Sequence, residues 1–310
     1  MTSPHHAIHR ERWEGFARNF GASVAARAIS VSCSLAQVPF ALKHLGPEAY
    51  GFWMILTGAL TLLNISDLGL GISLQNRMAA HFGRGETAAI SGLLRHGLRM
   101  LALTAGLATL VLVPVVLALD WARIFNLTDP GVIGQVRACL LLTVAGFCLN
   151  LPLTLAVRLA AAVQRSWLTP FWNCAGILFQ LAAVIAASLL QAGVVVFVGV
   201  YLGMVLLQNL AILLHLRRTL PWLRNAGLPP AATDRHHLRR AAYQLFIPQA
   251  CGAFSFAFLP AAIAMFSSPG VVTQFNLLQR LFGVLLQAQW AVPGPLSPAY
   301  DRSEEPRVGK

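Results

Sequence analysis

The residues that could do chemistry here stand out against what surrounds them. Arg27 lies in an apolar stretch with Ser23, Ser30, Ser34 and Gln37. Steps of four and three place all five on one face of a helix. Asp67 is the only carboxylate inside an apolar run, with Gly69 and Gly71 just after it, and Arg280 sits deep in another with Gln279, Gln287 and Gln289 nearby. A charge at membrane depth costs about 2.5–3.5 kcal/mol on insertion scales and survives with a partner, a water-filled cavity or a task. For Arg27 the alternative to facing a substrate is snorkelling to the nearer membrane surface. For Asp67 it is a structural pairing with Arg77 or with free helix N–H groups. Arg280 is deeper than either, which favours the substrate-facing reading.

The elements that must position these residues follow from composition. The 310 residues are 56% hydrophobic and 11% charged, where a soluble domain carries about 25% charged residues. With a mean hydropathy of +0.64, a soluble enzyme, a disordered chain and a secreted disulfide scaffold are all excluded. The expected fold class is all-α: a polytopic membrane helix bundle. Eight spans are predicted, at 20–42, 49–73, 97–119, 138–157, 167–190, 193–216, 246–266 and 271–293. Each is long enough, at 1.5 Å per residue, to cross a core of about 30 Å. Helices satisfy their own backbone hydrogen bonds in lipid, and apolar runs of this length exclude barrel strands. Pro39, Pro114, Pro152, Pro248 and Pro260 fall inside or near span ends, as ordinary kinks or as the bends of helices around a polar cleft.

The formal charge of +12 is spread between spans rather than gathered in one patch, so nucleic acid is not an expected partner. Taking alternate connections as opposite sides, fifteen Lys and Arg fall on the side of the N-terminus and three (Lys43, Arg123, Arg137) on the other. The positive-inside rule makes the N-terminus cytoplasmic in an inner membrane. No apolar run precedes residue 20, so insertion through the first span, without a cleaved signal, is expected. The five cysteines lie in apolar segments without ligand spacing, and neither a phosphate-binding lysine loop nor a nucleophile elbow is present. No enzyme, metal or cofactor is expected.

The stretch Leu45-Gly46-Pro47-Glu48-Ala49-Tyr50-Gly51-Phe52-Trp53, followed by Asp67-Leu68-Gly69-Leu70-Gly71, resembles the opening of Wzx-like polysaccharide flippases of the multidrug and oligosaccharidyl-lipid exporter superfamily. Arg239-Arg240, Gln279-Arg280-Leu281-Phe282 and Pro295-Leu296-Ser297-Pro298-Ala299-Tyr300 are similar to the start of the family's second half. The resemblance implies two six-helix lobes enclosing a cleft that faces each side in turn. The chain is then divided into a tail (1–19), a six-helix lobe (20–216), a basic linker (217–245), the first two helices of a second lobe (246–300) and a hydrophilic, non-native tail (301–310) of a reading frame cut short. A gap-free alignment of 46–53 with 268–275, 222 residues on, is the internal sign of two halves.

The implied cargo is an oligosaccharide repeat unit on a polyprenyl pyrophosphate, moved for O-antigen or exopolysaccharide synthesis. Arg27 and Arg280 would hold the pyrophosphate, because guanidinium suits phosphate oxygens, and Ser30, Ser34 and Gln37 would meet sugar hydroxyls. Asp67 and Arg77 would be coupling or structural residues, with proton or sodium as the coupling ion. Membrane lipids and a polysaccharide polymerase are the further partners implied. The rival readings are a multidrug or cation antiporter of the same superfamily and a membrane scaffold for glycan assembly.

Overall fold

The structure is a computed structural model that describes the backbone of residues 4–65, 69–224 and 259–291, and the side chains of 28–60, 69–223, 259–279 and 282. Among these residues every regular element is helical. Helix α1 (Pro4–Ile65) consists of two arms that meet at Gly46. It is followed by α2 (Leu70–Gly83), α3 (Thr87–Ala118), two single-turn helices α4 (Trp121–Ile124) and α5 (Pro130–Ile133), then α6 (Val136–Leu153), α7 (Leu155–Ala162), α8 (Leu168–Leu189) and α9 (Val194–Thr219). A 3₁₀ turn (Pro221–Arg224), helical residues 259–266 and α10 (Pro269–Ala291) complete the described chain. Within it, Thr87–Ala118, Val136–Ala162, Leu168–Leu189 and Val194–Thr219 are each long and apolar enough to cross a membrane. The protein is a polytopic helical membrane bundle.

Two boundaries differ from expectation for physical reasons. The second arm of α1 is not continued straight through residue 73, because a new helix begins at Leu70 after a break at Gly69. α3 begins ten residues before its predicted start at 97. Its first turns, Thr87 to Arg95, are too polar to register as a span, yet one face of them is buried through Ile90, Ser91, Leu93 and Leu94. Ser91 Oγ also donates to the Trp222 carbonyl at 3.2 Å, which ties this turn to the end of α9.

Cross-helix contacts sort the connections into two ends. At one end Arg165 donates to the Thr219 hydroxyl and Ser91 meets Trp222, so the turns after α2, α7 and α9 lie together. At the other, His44 bonds the Ala192 carbonyl at 2.8 Å, Val195 N–H donates to Gln135 at 3.4 Å, and Glu48 meets Thr128. Among the described connections, the ends alternate as the charge count assumes. Arg84, Arg95, Arg165, Arg217 and Arg218 share the first end, while Lys43, Arg123 and Arg137 belong to the second.

Helices in lipid gain no hydrophobic driving force from one another and associate through close packing and hydrogen bonds. The core has both. α6 and α9 run parallel, with Leu202 in van der Waals contact above Gly146. Asn209 Nδ2 donates to Asn150 Oδ1 at 2.7 Å with both side chains buried. Tyr50, Phe52 and Trp53 of the second arm of α1 are fully buried, with Trp53 edge-on to Phe197 of α9 and Phe52 tilted on Phe125. On α3 the exposed residues Leu103, Leu107, Leu110 and Val111 recur at helical spacing, a stripe suited to acyl chains.

Candidate functional site

The polar face of α1 meets α8. Ser30 Oγ donates to Asn173 Oδ1 at 3.3 Å, and Gln180 Nε2 donates to Gln37 Oε1 at 3.4 Å. Both pairs are 143 residues apart, which means that the two helices run parallel, in one register, through two turns. Near the end of the seam Ser188 Oγ reaches the Phe40 carbonyl at 3.4 Å, one residue past Pro39. Gln37 is 5% exposed, Ser30 half-buried and Asn173 exposed, so the seam opens from a buried amide toward the surface. An amide has more donor and acceptor capacity than these single bonds use. Asn173, Gln180 and Ser188 escaped the sequence reading. Their signal was there: in an otherwise apolar helix, Asn173 and Gln180 stand seven residues apart, as do Ser30 and Gln37.

The other expected site residues are placed unevenly. Ser34 Oγ donates to the Val31 carbonyl of its own helix at 2.9 Å. Arg77 is half-buried on α2, which packs on α3 and α7, away from the α1–α8 seam. Asp67 lies outside the described residues, as do the side chains of Arg27 and Arg280, whose backbones belong to α1 and α10. Backbone position alone separates the two arginines. The start of α10 meets the start of the second arm of α1 at the corner where Thr273 reaches Pro47. At 1.5 Å per residue, Arg280 lies about 10 Å along its helix from that corner and Arg27 about 28 Å. Along their own helices they stand at different distances from that corner.

That corner is reciprocal. Thr273 Oγ1 donates to the Pro47 carbonyl at 2.7 Å, and Gly51 lies so close to Pro269 that a Cβ on it would stand 1.9 Å from the Pro269 carbonyl oxygen. In the alignment offset by 222 residues, Pro47 corresponds to Pro269 and Gly51 to Thr273. Each member of one half therefore touches the counterpart of the other, the contact pattern that a two-fold relation produces. Gly46, at the turn before it, has φ 76°, a conformation glycine adopts without penalty.

Solved structures share this arrangement of helices. The chain is similar to an inward-facing multidrug resistance MATE family transporter of the MOP superfamily, with a TM-score of 0.70 at 14% identity over 91% of this chain and 67% of that one. The likeness is one of fold. A second such structure, a MOP superfamily transporter from Pyrococcus furiosus described as having a binding pocket of reverse polarity, matches with a TM-score of 0.59 at 13% identity. The match covers 77% of this chain and 52% of that one. The chain thus spans about half to two thirds of the length of these transporters. No protein-family model matches it, and no curated protein does.

Among the described residues, the corner end carries one carboxylate with a shifted pKa. Burial pushes the pKa of Glu48 up, but the Asp129 N–H, the Thr128 hydroxyl and the Thr128 N–H outweigh it, and the net shift is downward. The three bonds measure 2.9, 2.6 and 2.6 Å. A group whose folded pKa is lowered contributes stability that is present above its ordinary pKa and lost as pH falls through the lowered one. Hydrogen exchange at the Thr128 and Asp129 amides, once corrected for the intrinsic rate, is therefore expected to stay equally protected from pH 8 down to the ordinary carboxylate range. It should rise only below that range, and Glu48→Gln should raise it at every pH. Protection lost between pH 8 and 6 would refute the assignment.

Proposed function

We propose that this chain is part of a bacterial inner-membrane transporter that moves polyprenyl-pyrophosphate-linked oligosaccharide repeat units by alternating access, with its N-terminus cytoplasmic. The observation that carries the reading is the α1–α8 seam within a MOP-type fold: its polar groups are hydroxyls and amides (Ser30, Gln37, Asn173, Gln180), with no carboxylate among them. Such groups match sugar hydroxyls, which both donate and accept. A site for organic cations needs anionic or aromatic partners.

In this reading the two halves are six-helix lobes, of which 20–216 is the first and 246–300 the start of the second. Arg280 and Arg27 attract the pyrophosphate at successive depths, since a guanidinium holds phosphate oxygens by paired hydrogen bonds. The seam exchanges its internal bonds for bonds to sugar, and the polyprenyl tail stays in lipid beside apolar stripes such as that of α3. Asp67 is the group for proton or sodium coupling, with Arg77 in a structural role. Delivery to a polysaccharide polymerase follows on the far side. Nucleic acid has no part.

A second reading, cation export, is favoured by the likeness to a multidrug resistance transporter. Proteoliposomes separate the two. With a full-length relative carrying these residues, scrambling of an undecaprenyl-pyrophosphate disaccharide between leaflets, read by loss of its protection from an external glycosidase, is the expected activity. Ion-driven uptake of ethidium without such scrambling would replace the flippase reading by the exporter.

A further inference from the structure

The connection between α3 and α6 is anchored on both sides of the bundle. Asn126, at φ 50°, shares the two N–H groups of its Nδ2 among the carbonyl oxygens of Ala264, Met265 and Ser267 at 3.1, 3.0 and 3.1 Å. These are among the last carbonyls of helical residues 259–266 and the turn beyond, which have no intrahelical N–H to accept from. Two residues on, the Thr128 N–H, the Thr128 hydroxyl and the Asp129 N–H all donate to the Glu48 carboxylate. Asp129 Oδ1 in turn accepts from Gly131 N–H at 2.8 Å and starts α5. One short strap thus joins the corner of the first half to the end of a helix in the second.

We propose that residues 126–129 are a latch that holds this end of the bundle shut, with Asn126 as its releasable bolt and Glu48 as its fixed anchor. This rests on alternating access in the reading above, and it goes beyond that reading by naming the groups that set which end is closed. The charge pattern gives the two anchors different roles. Glu48 takes three donors as an anion, all within one half of the chain, so it shapes the strap. Asn126 crosses between halves and offers a neutral donor to a helix C-terminus, which carries partial negative charge. Parting the halves at this end must break the Asn126 bonds and need not break those of Glu48. The residue type is constrained twice over. The left-handed backbone suits Asn and Asp better than most residues, but only Asn brings a donor.

Asn126→Asp is therefore the decisive variant, because it keeps the backbone preference and sets a carboxylate against three carbonyl oxygens. The experiment uses the full chain in nanodiscs, with its native cysteines replaced and spin labels at Leu190→Cys and Phe266→Cys. These two exposed positions flank this end in the two halves. Distances are read by pulsed electron resonance. The parent should give a short distance. Asn126→Asp should raise the longer-distance population about tenfold or more, and Asn126→Ala should raise it less, since it removes donors without adding repulsion. Glu48→Gln, which loosens the other anchor, is the second variant should the first not fold. If both variants keep the parent distribution while Gly51→Val lengthens it, the latch is wrong and the moving halves stand. If Gly51→Val does not lengthen it either, alternating access at this end falls, and the latch with it.

Discussion

Arg280→Glu is expected to abolish export in a full-length relative carrying this residue, whereas Arg280→Lys retains part of it. Arg280 belongs to α10, seven residues and about 10 Å of helix beyond the Thr273 contact with Pro47. In the proposed transport, an anionic head group passing Arg280 would meet attraction from arginine, a weaker point charge from lysine, nothing from alanine and repulsion from glutamate. Lysine keeps the charge but loses the planar fork that pairs with two phosphate oxygens. Losing one partner of a desolvated charge pair costs about 2–5 kcal/mol. Scrambling by Arg280→Ala should therefore fall roughly thirtyfold or more at equal membrane abundance, with Arg280→Glu below detection. Because Arg27 stands farther from that contact along its own helix, Arg27→Ala should add its own loss rather than duplicate this one. Undiminished scrambling by Arg280→Ala would remove Arg280 from the substrate path.

What could be seen in advance, and what could not, follows from the range of the signals. Span positions rest on local apolarity, which is why α6, α8 and α9 begin and end close to the predicted limits. The amphipathic start of α3 does not, because burial of one polar-flanked face depends on the neighbouring turn at Trp222. The Ser30 and Gln37 face was visible as a helical stripe, but its partners Asn173 and Gln180 were not. Nothing local states that two helices 143 residues apart run parallel in one register. The same holds for Asn126, an unremarked loop residue until the chain brings the carbonyls of Ala264, Met265 and Ser267 to its side chain. Conversely, the repeat between 46–53 and 268–275 was weak as a sequence match, and two contacts fall at its paired positions. Pro47 with Thr273 and Gly51 with Pro269 are contacts that only this register makes reciprocal.

Gly51→Val is expected to force the corner apart and leave the bundle open at this end. A Cβ at Gly51 would lie 1.9 Å from the Pro269 carbonyl oxygen and 2.6 Å from its carbon. Both are backbone atoms at the start of α10, so no side-chain rotation relieves the clash, and the helices must separate by more than an ångström. Overpacking of this kind costs about 1–3 kcal/mol even where a core relaxes. Here the relaxation available is the parting of the two halves, which also pulls Thr273 from the Pro47 carbonyl. The labelled pair at Leu190 and Phe266 should lengthen, and substrate scrambling should stop with the protein still folded. Gly46→Ala is the control that separates space from strain. Nothing lies within 4 Å of a Cβ there, but its φ of 76° with ψ of 170° is unfavourable for alanine, at about 1–3 kcal/mol. Gly46→Ala should therefore lower the melting temperature in detergent and leave the label distance unchanged. If Gly51→Val did the same, lowering stability without lengthening the distance, the close approach of Gly51 to Pro269 would be packing within one rigid body rather than a contact between moving halves.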